Sequence, residues 1–419
     1  MDYIPHVIAD IGSNTIRLGR AGECNPVINT PSQVGILQSS SDPLIGSEEL
    51  NQYHEGLKMK QIVDQDSYIS DYDIFAQILE KARNKDVSIG AFLTEPAQQR
   101  KENRAKLVEQ IFEKLSFEQM FIAKAPVLSS FSVGCTTSLV FDSGENNTYA
   151  VPVHDGYISQ STIQKSKVAG NVISENVKKF LTNQAFEIDP ISILEADNYD
   201  LKELNLAKKD IHESVYAFHI ERMVKKIKHD LLECSIEPIS KRDPSYEFES
   251  KTYSLPDGKS FTVKGEQFKI PEIFFISDSS SSEEQKEPKD ADAEMQADDQ
   301  YNQKLDGFNG FQGLVQKAIN ASEMDIRRDL YKNILCTGGT TLLKNFEERL
   351  IRDIEEVAPQ NYTVNFIKKR NTSFGTGDML YSSFIGASIL SSLSSFKHMW
   401  FTKQEYAEHG PNHIEKKCP

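Results

Sequence analysis

The sequence lacks the signatures of disulfide bonds, of zinc sites and of membrane segments. Only five of its 419 residues are cysteines, and none of them form a CxxC pair. An odd number without close pairing argues against a disulfide framework or a zinc site and favours a reducing compartment. The nine histidines lack HExxH spacing. No basic run followed by an apolar stretch opens the chain, and polar residues interrupt every long apolar run. We therefore expect neither a signal peptide nor a membrane segment.

Positive charge is also in deficit. There are 47 lysines and arginines against 62 aspartates and glutamates, which gives a net charge of −15. This balance argues against sequence-blind DNA binding, because such binding depends on neutralising phosphates. It is compatible with basic protein partners such as histones, although charge alone does not select one. The length and the 38% hydrophobic content predict a globular protein with two or more lobes.

A strand, turn and return strand occur twice in the sequence. The first copy has strands predicted over His6–Asp10 and Thr15–Gly19, and the second has them over Ser138–Asp142 and Thr148–Val151. In both copies the leading strand ends in an Asp-x-Gly turn, and the two aspartates lie 132 positions apart. This repetition indicates an internal duplication, with one hairpin from each of two related lobes facing a shared cleft.

Helical periodicity separates the predicted strands. Apolar residues recur with helical spacing over Asp73–Arg83, Asn103–Leu115 and Leu342–Ile354. Strands that alternate with helices predict an α/β architecture.

The two hairpins suit the binding of a phosphate and a metal ion. Glycine allows backbone N–H groups to approach a phosphate closely, and the hydroxyls of Ser13 and Thr15 add donors. Two carboxylates in one small volume, Asp10 and Asp142, repel unless a cation lies between them. Mg²⁺ held through water by both carboxylates and by nucleotide phosphates fits this arrangement. A single Asp-x-Gly turn is usually structural, and it is the pair that favours the functional interpretation.

A third glycine-containing turn follows the strand predicted within Ile334–Thr341. Two glycines lead from it into a helix expected to begin near Leu342. Backbone N–H groups at a helix N-terminus offer a seat for an anion or a ribose phosphate. A tight strand-to-helix turn without a ligand is the alternative, and it is the favoured interpretation of this element alone.

Several stretches resemble the actin superfamily, which also contains hexokinases and heat-shock chaperone ATPases. The resemblance to actin itself is much closer than to those relatives, and it extends over nearly the whole chain apart from an acidic segment. It is carried by Phe92–Pro96 with Asn103 and Arg104, Asp325–Tyr331, Tyr381–Leu390, Met399–Tyr406, and Lys417 with Cys418.

The resemblance implies an actin fold, in which two duplicated RNase H-like lobes form four subdomains around a nucleotide cleft. We expect subdomain 1 at residues 1–32, 63–132 and 382–419, and subdomain 2, with a shortened loop, at 33–62. Subdomain 3 is expected at 133–168 and 301–381, and subdomain 4 at 169–276. An acidic insertion occupies 277–300.

The resemblance also implies ATP and Mg²⁺ as ligands and assigns binding residues. The predicted first phosphate loop comprises Asp10, Gly12, Ser13, Asn14 and Thr15, with Arg17 replacing a phosphate-contacting lysine. The predicted second loop comprises Asp142, Ser143, Gly144, Glu145 and Asn146. Gly338, Gly339 and Thr340 are expected to line the adenosine side, and Lys228 is expected to lie against the nucleotide.

Departures from actin predict weak or absent hydrolysis. The actin stretch AIQAVL corresponds to Ala123–Leu128, where we expect Lys124 to replace the glutamine that orients the attacking water. A lysine cannot accept a hydrogen bond from water. Tyr149 replaces a histidine that also orders water, and Glu145 and Asn146 replace an aspartate and a glycine. Losing water positioning typically slows phosphoryl transfer by orders of magnitude. Neutral replacement is the alternative.

Two further departures oppose filament formation. The loop between Gly35 and Gly46 has ten residues, is rich in serine, and offers little apolar surface to a neighbouring subunit. The segment 277–300 contains nine acidic residues and two lysines, with no aromatic and no β-branched residue. This composition predicts disorder. We interpret it as a solvated insertion, and a contact for basic histone tails is the alternative. The serines at 279–282 could be phosphorylated, which would deepen its charge.

Short runs resemble the fourth class of nuclear actin-related proteins. They are Pro152–Tyr157, Lys165 with Ser166, Ala169 with Gly170, and the ending 416–419. That resemblance implies a nuclear, non-polymerising scaffold subunit of chromatin-remodelling and histone-acetyltransferase complexes, with roles in transcription regulation and DNA repair. It implies pairing with actin on a helicase-SANT-associated helix, with ATP as a structural ligand. A conventional filament-forming ATPase and a cytoplasmic actin-related protein are the alternatives.

Overall fold

The structure is a computed structural model that describes residues 6–40, 42–52, 54–83, 89–98, 100–188, 211–243, 246–255, 258–276, 307–367 and 379–418. The insertion predicted to be disordered, 277–300, lies outside these residues. The strands of the described part are β1 Val7–Ile11, β2 Thr15–Arg20, β3 Ile28–Pro31, β4 Gln33–Ile36, β5 Lys58–Gln61, β6 Gly90–Glu95, β7 Gln119–Lys124, β8 Ser138–Ser143, β9 Thr148–Val153, β10 Gln164–Ser166, β11 Lys251–Ser254, β12 Ser260–Val263, β13 Ile334–Thr337 and β14 Phe401–Thr402.

Helices connect these strands. In the described part they are α1 Ser47–Asn51, α2 Tyr72–Ala82, α3 Lys101–Glu109, α4 Ala125–Ser132, α5 Gly170–Asn183, α6 Glu213–Leu231, α7 Glu266–Glu272, α8 Gly310–Asn320, α9 Met324–Lys332, α10 Phe346–Val357, α11 Ser382–Ser392, α12 Lys403–His409 and α13 Ile414–Lys417. A π-helical turn at Gln110–Lys114 continues α3, and 3-10 turns lie at Gln160–Thr162, Ile239–Lys241, Gly339–Leu342, Ser394–His398 and Pro411–His413. No helix within the described ranges combines the length and apolar character needed to cross a bilayer.

Two mixed sheets form the centres of two lobes. The first has the strand order β14-β7-β6-β1-β2-β3, and the second has the order β10-β9-β8-β13. In the first sheet β1 pairs antiparallel with β2 on one side and parallel with β6 on the other. In the second, β8 pairs antiparallel with β9 and parallel with β13. The same arrangement around each leading strand agrees with the predicted duplication, and the predicted α/β fold class is confirmed.

Each sheet is covered by helices that bury their apolar faces against it. One core draws its buried residues from 7–128 and 384–418, and a second draws them from 139–366. Phe92 packs near Trp400 in the first core, and Phe141 packs against Phe311 in the second. Each of the two sheets therefore lies in a hydrophobic core of its own. The predicted subdomain boundaries stay a prediction.

The predicted helices exist, but their limits differ from the expectation. The first predicted helix appears as α2, and the second is divided into α3 and the π turn. The third prediction is wrong at its start, because α10 begins at Phe346 rather than near Leu342. Asn345 precedes it with a φ of +62°, in the left-handed region, so the chain turns before the helix begins. The residues after the glycine pair instead form a 3-10 turn.

Candidate functional site

The loop of the first hairpin lines the cleft. The N–H of Gly12 donates to the carbonyl of Thr15 at 3.0 Å, which closes the turn. The carbonyl of Gly12 accepts a hydrogen bond from the hydroxyl of Ser32 at 2.6 Å, and that of Ser13 accepts one from the amide of Gln61 at 3.0 Å. These hydrogen bonds hold in place the loop whose residues Gly12, Ser13 and Asn14 line the cleft.

The aspartate of this hairpin is already neutralised. Asp10 is buried, and its Oδ2 accepts a hydrogen bond from the guanidinium of Arg17 at 2.8 Å. These two residues lie opposite each other in the β1–β2 pair. The hydroxyl of Thr94 donates to Oδ1 at 3.0 Å. Arg17 lines the cleft as expected, but its guanidinium is engaged with Asp10.

The second hairpin repeats the backbone of the first. The N–H of Gly144 donates to the carbonyl of Asn147 at 3.0 Å. The carbonyl of Gly144 is held by the N–H of Gly170 at 3.1 Å and by the hydroxyl of Thr340 at 2.8 Å. The carbonyl of Glu145 is held by the first turn of α5. These hydrogen bonds hold in place the second loop, whose residues Gly144, Glu145 and Asn146 line the cleft.

The aspartate of the second hairpin has no such partner. Within the described residues, the side chain of Asp142 has no hydrogen bond or ion pair. Burial and, secondly, the charge of Asp10 raise its pKa to about 6, although Arg17 partly opposes the rise. A carboxylate that is withdrawn from water beside a second carboxylate is a site where a bound cation relieves repulsion. The donor set at Asp10 and Asp142 therefore fits Mg²⁺.

The third glycine-containing turn packs onto the second hairpin. Gly338 has a φ of +91°, and a Cβ there would lie 2.3 Å from the carbonyl oxygen of Ser143 and 2.6 Å from a carboxylate oxygen of Asp142. Only glycine fits this contact. Because a 3-10 turn follows, the expected seat at an α-helix N-terminus is wrong. Gly338, Gly339 and Thr340 nevertheless line the cleft.

A basic helix forms the wall opposite the first hairpin. The ammonium of Lys228 in α6 donates to the carbonyl of Gly170 at 2.8 Å and to Glu145 at 3.4 Å. Burial would raise the pKa of Glu145, but the charges of Lys228 and Lys225 and nearby hydrogen bonds lower it below its usual value. Burial lowers the pKa of Lys228, and Glu145 opposes that effect. Of the two ammonium groups on this wall, Lys228 contacts Glu145, and Lys225 acts on it through its charge alone.

Lys225 is a cleft residue that the sequence reasoning missed. Its ammonium donates to the side-chain oxygen of Asn14 at the tip of the first loop. It therefore joins the second lobe to the first directly at a predicted phosphate loop. Its spacing of three residues from Lys228 places both on one helix face, and that signal could have identified it.

All but one of the predicted binding residues meet in one cavity of about 500 Å³. Ser143 is the exception, because its hydroxyl is buried against the hydroxyl of Thr148 at 2.8 Å. The predicted residues that line the cavity are Asp10, Gly12, Ser13, Asn14, Thr15, Arg17, Asp142, Gly144, Glu145, Asn146, Lys228, Gly338, Gly339 and Thr340.

The expectation for Lys124 is wrong. Lys124 is the buried last residue of β7, opposite Glu95, and it does not line the cavity. Burial lowers its pKa, and its charged neighbours are Glu95, Arg104 and Glu415. The next residue, Ala125, lines the cavity instead. It is also the third residue of the stretch AKAPVL, where the actin stretch AIQAVL has its glutamine, so the predicted register was one residue early.

Tyr149 lies where the sequence placed it. Its ring lines the cavity beside the second hairpin, and burial raises the pKa of its phenol. With Ala125 and Tyr149 at these positions, neither side chain reproduces the glutamine or histidine of the actin pattern.

The fold and the cleft together define a class: two-lobed α/β proteins in which a duplicated hairpin from each lobe faces a shared polar cavity. The family model described as Actin matches residues 1–419. The chain belongs to the actin family.

Three relatives that match this chain over nearly their full length are named Actin-related protein 4. The chain is 29% identical to Actin-related protein 4 of Arabidopsis thaliana over 455 aligned residues, which cover 100% of this chain and 99% of the relative. It is 28% identical to Actin-related protein 4 of Oryza sativa subsp. indica, with 100% and 99% covered. It is 26% identical to Actin-related protein 4 of Schizosaccharomyces pombe (strain 972 / ATCC 24843), with 100% and 98% covered. The chain is thus an actin-family protein similar to proteins of that name.

Proposed function

We propose that this protein binds Mg-ATP as a structural ligand and serves as a non-polymerising nuclear scaffold subunit that pairs with actin. The observation that carries the nucleotide part is the pair of hairpins whose aspartates, Asp10 and Asp142, share one cavity with the surplus positive charge of α6. The similarity to proteins named Actin-related protein 4 supports the scaffold part.

Different residues of the cleft would contact the metal ion, the phosphates and the rest of the nucleotide. Asp10 and Asp142 would hold Mg²⁺ through water, since among the described residues no third carboxylate, histidine or cysteine joins them in a cluster. The N–H edges of the two loops would take the phosphates, and Lys228 would lie against the nucleotide. The ion supplies charge neutralisation between the carboxylates and the phosphates. Binding to the native form alone stabilises it by about 4 kcal/mol at a thousandfold excess over Kd.

Hydrolysis is proposed to be weak or absent. Ala125 has no group that could accept a hydrogen bond from a water molecule, and the phenol of Tyr149 replaces an imidazole. Catalysis of phosphoryl transfer depends largely on positioning, and losing water-orienting groups costs orders of magnitude in rate. A bound ATP would then remain intact and hold the lobes together.

Substituting Ala125 tests this part directly. Phosphate release from Mg-ATP is expected to be slow in the wild type and at least several-fold faster in Ala125→Gln. Lys124→Ala, one residue earlier and outside the cavity, is the matched control and is expected to leave the rate unchanged. Brisk release by the wild type, together with sedimentable filaments in polymerising salt, would contradict the proposal.

The cellular role follows from the proposed class. The subunit would sit beside actin on a helicase-SANT-associated helix in chromatin-remodelling and histone-acetyltransferase complexes, and so act in transcription regulation and DNA repair. Histones are a compatible partner for its acidic charge. Mass spectrometry of proteins that co-purify with the tagged chain tests this role. Recovery of actin with chromatin subunits is expected, and recovery of cytoplasmic motor or filament-branching subunits would overturn it.

A further inference from the structure

A small cavity in the second lobe, separate from the nucleotide cleft, is lined by three lysines. Its volume is about 250 Å³. Lys165 belongs to β10, Lys167 follows that strand, and Lys317 lies on α8. The other residues that line it are polar, apolar or glycine, and among the described ones there is no aspartate or glutamate. The walls of this cavity therefore carry positive charge alone.

Two of these ammonium groups have no bonded partner in the part of the chain that the structure describes. Lys165 is engaged, because Asp66 of the first lobe accepts its hydrogen bond at 2.5 Å. Lys167 and Lys317 form neither an ion pair nor a hydrogen bond with the described residues, and both side chains are exposed. Like charges around one cavity raise its electrostatic potential, so the cavity favours an anion.

The acidic insertion is attached beside this cavity. The description of the chain stops at Ile276 and resumes at Gly307, which itself lines the cavity. The segments on the two sides of this gap are held together. The rings of Phe274 and Phe311 stack with their centroids 4.7 Å apart, and the N–H of Phe311 donates to the carbonyl of Phe274 at 2.8 Å. The insertion 277–300 is therefore joined to the described part next to the three lysines.

The insertion has the charge and the length to reach these lysines. It carries nine acidic residues and two lysines. Its last acidic residue, Asp299, lies eight positions before Gly307. Eight residues span at most about 26 to 29 Å, which is more than the width of a cavity of this size. A short tether gives an effective concentration in the millimolar range, so that even a weak contact is largely formed.

We propose that the acidic insertion 277–300 docks through its carboxylates on the cavity of Lys165, Lys167 and Lys317. The three lysines then compete with any basic protein partner for the carboxylates of the insertion, and such a partner has to displace them. Phosphorylation of the serines at 279–282 adds negative charge and strengthens the contact. The proposal concerns a surface away from the cleft and does not depend on nucleotide binding.

The test measures how fast an amine-reactive acetylating reagent modifies individual lysines of the nucleotide-free, full-length protein, with mass spectrometry as the readout. The variant has all nine acidic residues of the insertion replaced by asparagine or glutamine, so its length is unchanged. Lys167 and Lys317 are expected to react at least about threefold faster in this variant than in the wild type, because docked carboxylates no longer shield them. Salt at about 1 M should accelerate their reaction in the wild type. Lys397, an exposed lysine of the first lobe, is the internal control and should react equally in both proteins.

A second measurement detects the same contact between separate molecules. A synthetic peptide of residues 277–300 is expected to bind the charge-neutralised variant, and to bind several-fold more weakly once Lys167→Ser and Lys317→Ser are added. Lys397→Ser is the matched control and should leave the affinity for the peptide unchanged. Equal reaction rates of Lys167 and Lys317 in the wild type and the neutralised variant would overturn the proposal, and so would a peptide affinity that the two serine substitutions do not change. Neither experiment contains nucleotide, so failure of the proposed ATP binding would leave both results as they are.

Discussion

The two hairpins share a backbone but differ in their electrostatics. In both, a glycine N–H closes the turn and a loop carbonyl accepts a hydrogen bond from the hydroxyl of another segment. In the first, Asp10 has its own cation and a hydroxyl donor. In the second, Asp142 has neither within the described residues, and its pKa is raised to about 6. The duplicated element has therefore diverged: the protein itself neutralises the carboxylate of one copy, and within the described residues it leaves that of the other copy without a partner.

This asymmetry assigns different tasks to the two aspartates. Asp10 contributes to the stability of the empty protein, because removing it leaves the buried charge of Arg17 without its partner. Asp142 lowers the stability of the ligand-free protein, because its carboxylate is buried without a partner among the described residues. It contributes favourably only when a cation is bound. The following predictions separate these tasks, starting with the largest effect.

Replacing each aspartate by asparagine is expected to have the largest effect on stability and on ligand binding. Both Asp10→Asn and Asp142→Asn are expected to abolish most of the stabilisation by Mg-ATP, about 4 kcal/mol at a thousandfold excess over Kd. Without ligand, Asp10→Asn should be destabilised and Asp142→Asn should be as stable as the wild type or more so. Urea unfolding with and without Mg-ATP measures the stability of the ligand-free protein and the stabilisation that the ligand adds. Equal stabilities of the two variants in the absence of ligand would show that the hairpins do not differ in this way.

Protonation of one buried histidine in each lobe should produce the next largest effect. Burial lowers the pKa of His6 in the first lobe and of His219 in the second to about 4. Their unfolded pKa is near 6.5, so the unfolded chain takes up protons first. Stability is thus complete above about pH 6.5 and falls toward pH 4, by on the order of 2 kcal/mol per histidine. His6→Leu and His219→Leu should each flatten this slope in urea unfolding series, and unchanged slopes would refute the assignment.

Removing the guanidinium of Arg17 should leave Asp10 without a cationic partner, as Asp142 is in the second hairpin. Arg17→Met leaves Asp10 buried beside Asp142 without its ion pair. We expect the ligand-free protein to lose about 2 kcal/mol, because a buried carboxylate is left without its hydrogen-bond donor, and its stabilisation by Mg²⁺ alone to increase. Calorimetric melting with and without Mg²⁺ measures both changes. A variant whose response to Mg²⁺ matches that of the wild type would indicate that Arg17 does not set the charge of the cleft.

Alanine in place of the loop glycines should give the smallest difference. A Cβ at Gly12 would lie 2.9 Å from the carbonyl oxygen of Thr15, whereas one at Gly144 would lie 3.5 Å from its nearest neighbour. Gly12→Ala is therefore expected to cost about 1 kcal/mol and Gly144→Ala less than about 0.5 kcal/mol. Thermal unfolding of the ligand-free variants gives the ranking, and the reverse order would contradict the difference in loop packing.

Local patterns in the sequence were sufficient for the hairpins, and the resemblance to actin supplied most of the other residues of the candidate site. A strand that ends in Asp-x-Gly and is followed by a polar turn forms largely from its own residues, so both copies were found at their positions. Apolar spacing likewise identified α2 and α3, because a buried helix face is a local signal. The fold class followed from the alternation of these elements.

Side-chain direction at junctions between elements was harder to predict. Lys124 ends β7 and Ala125 begins α4, so a register one residue early exchanges a residue facing Glu95 for one facing the cavity. The start of α10 depends on the left-handed conformation of Asn345, which its residue type permits but does not require. The partner of Lys225 lies 211 positions away on the other lobe, and only the tertiary fold brings the two together.

Ligand-dependent melting of the purified full-length protein tests the central claim most directly. With Mg²⁺ present, the melting temperature of the wild type should rise by several degrees as ATP is increased, while that of Asp142→Asn should not change. A melting temperature of the wild type that is independent of ATP would contradict the assignment of the cleft between the two hairpins.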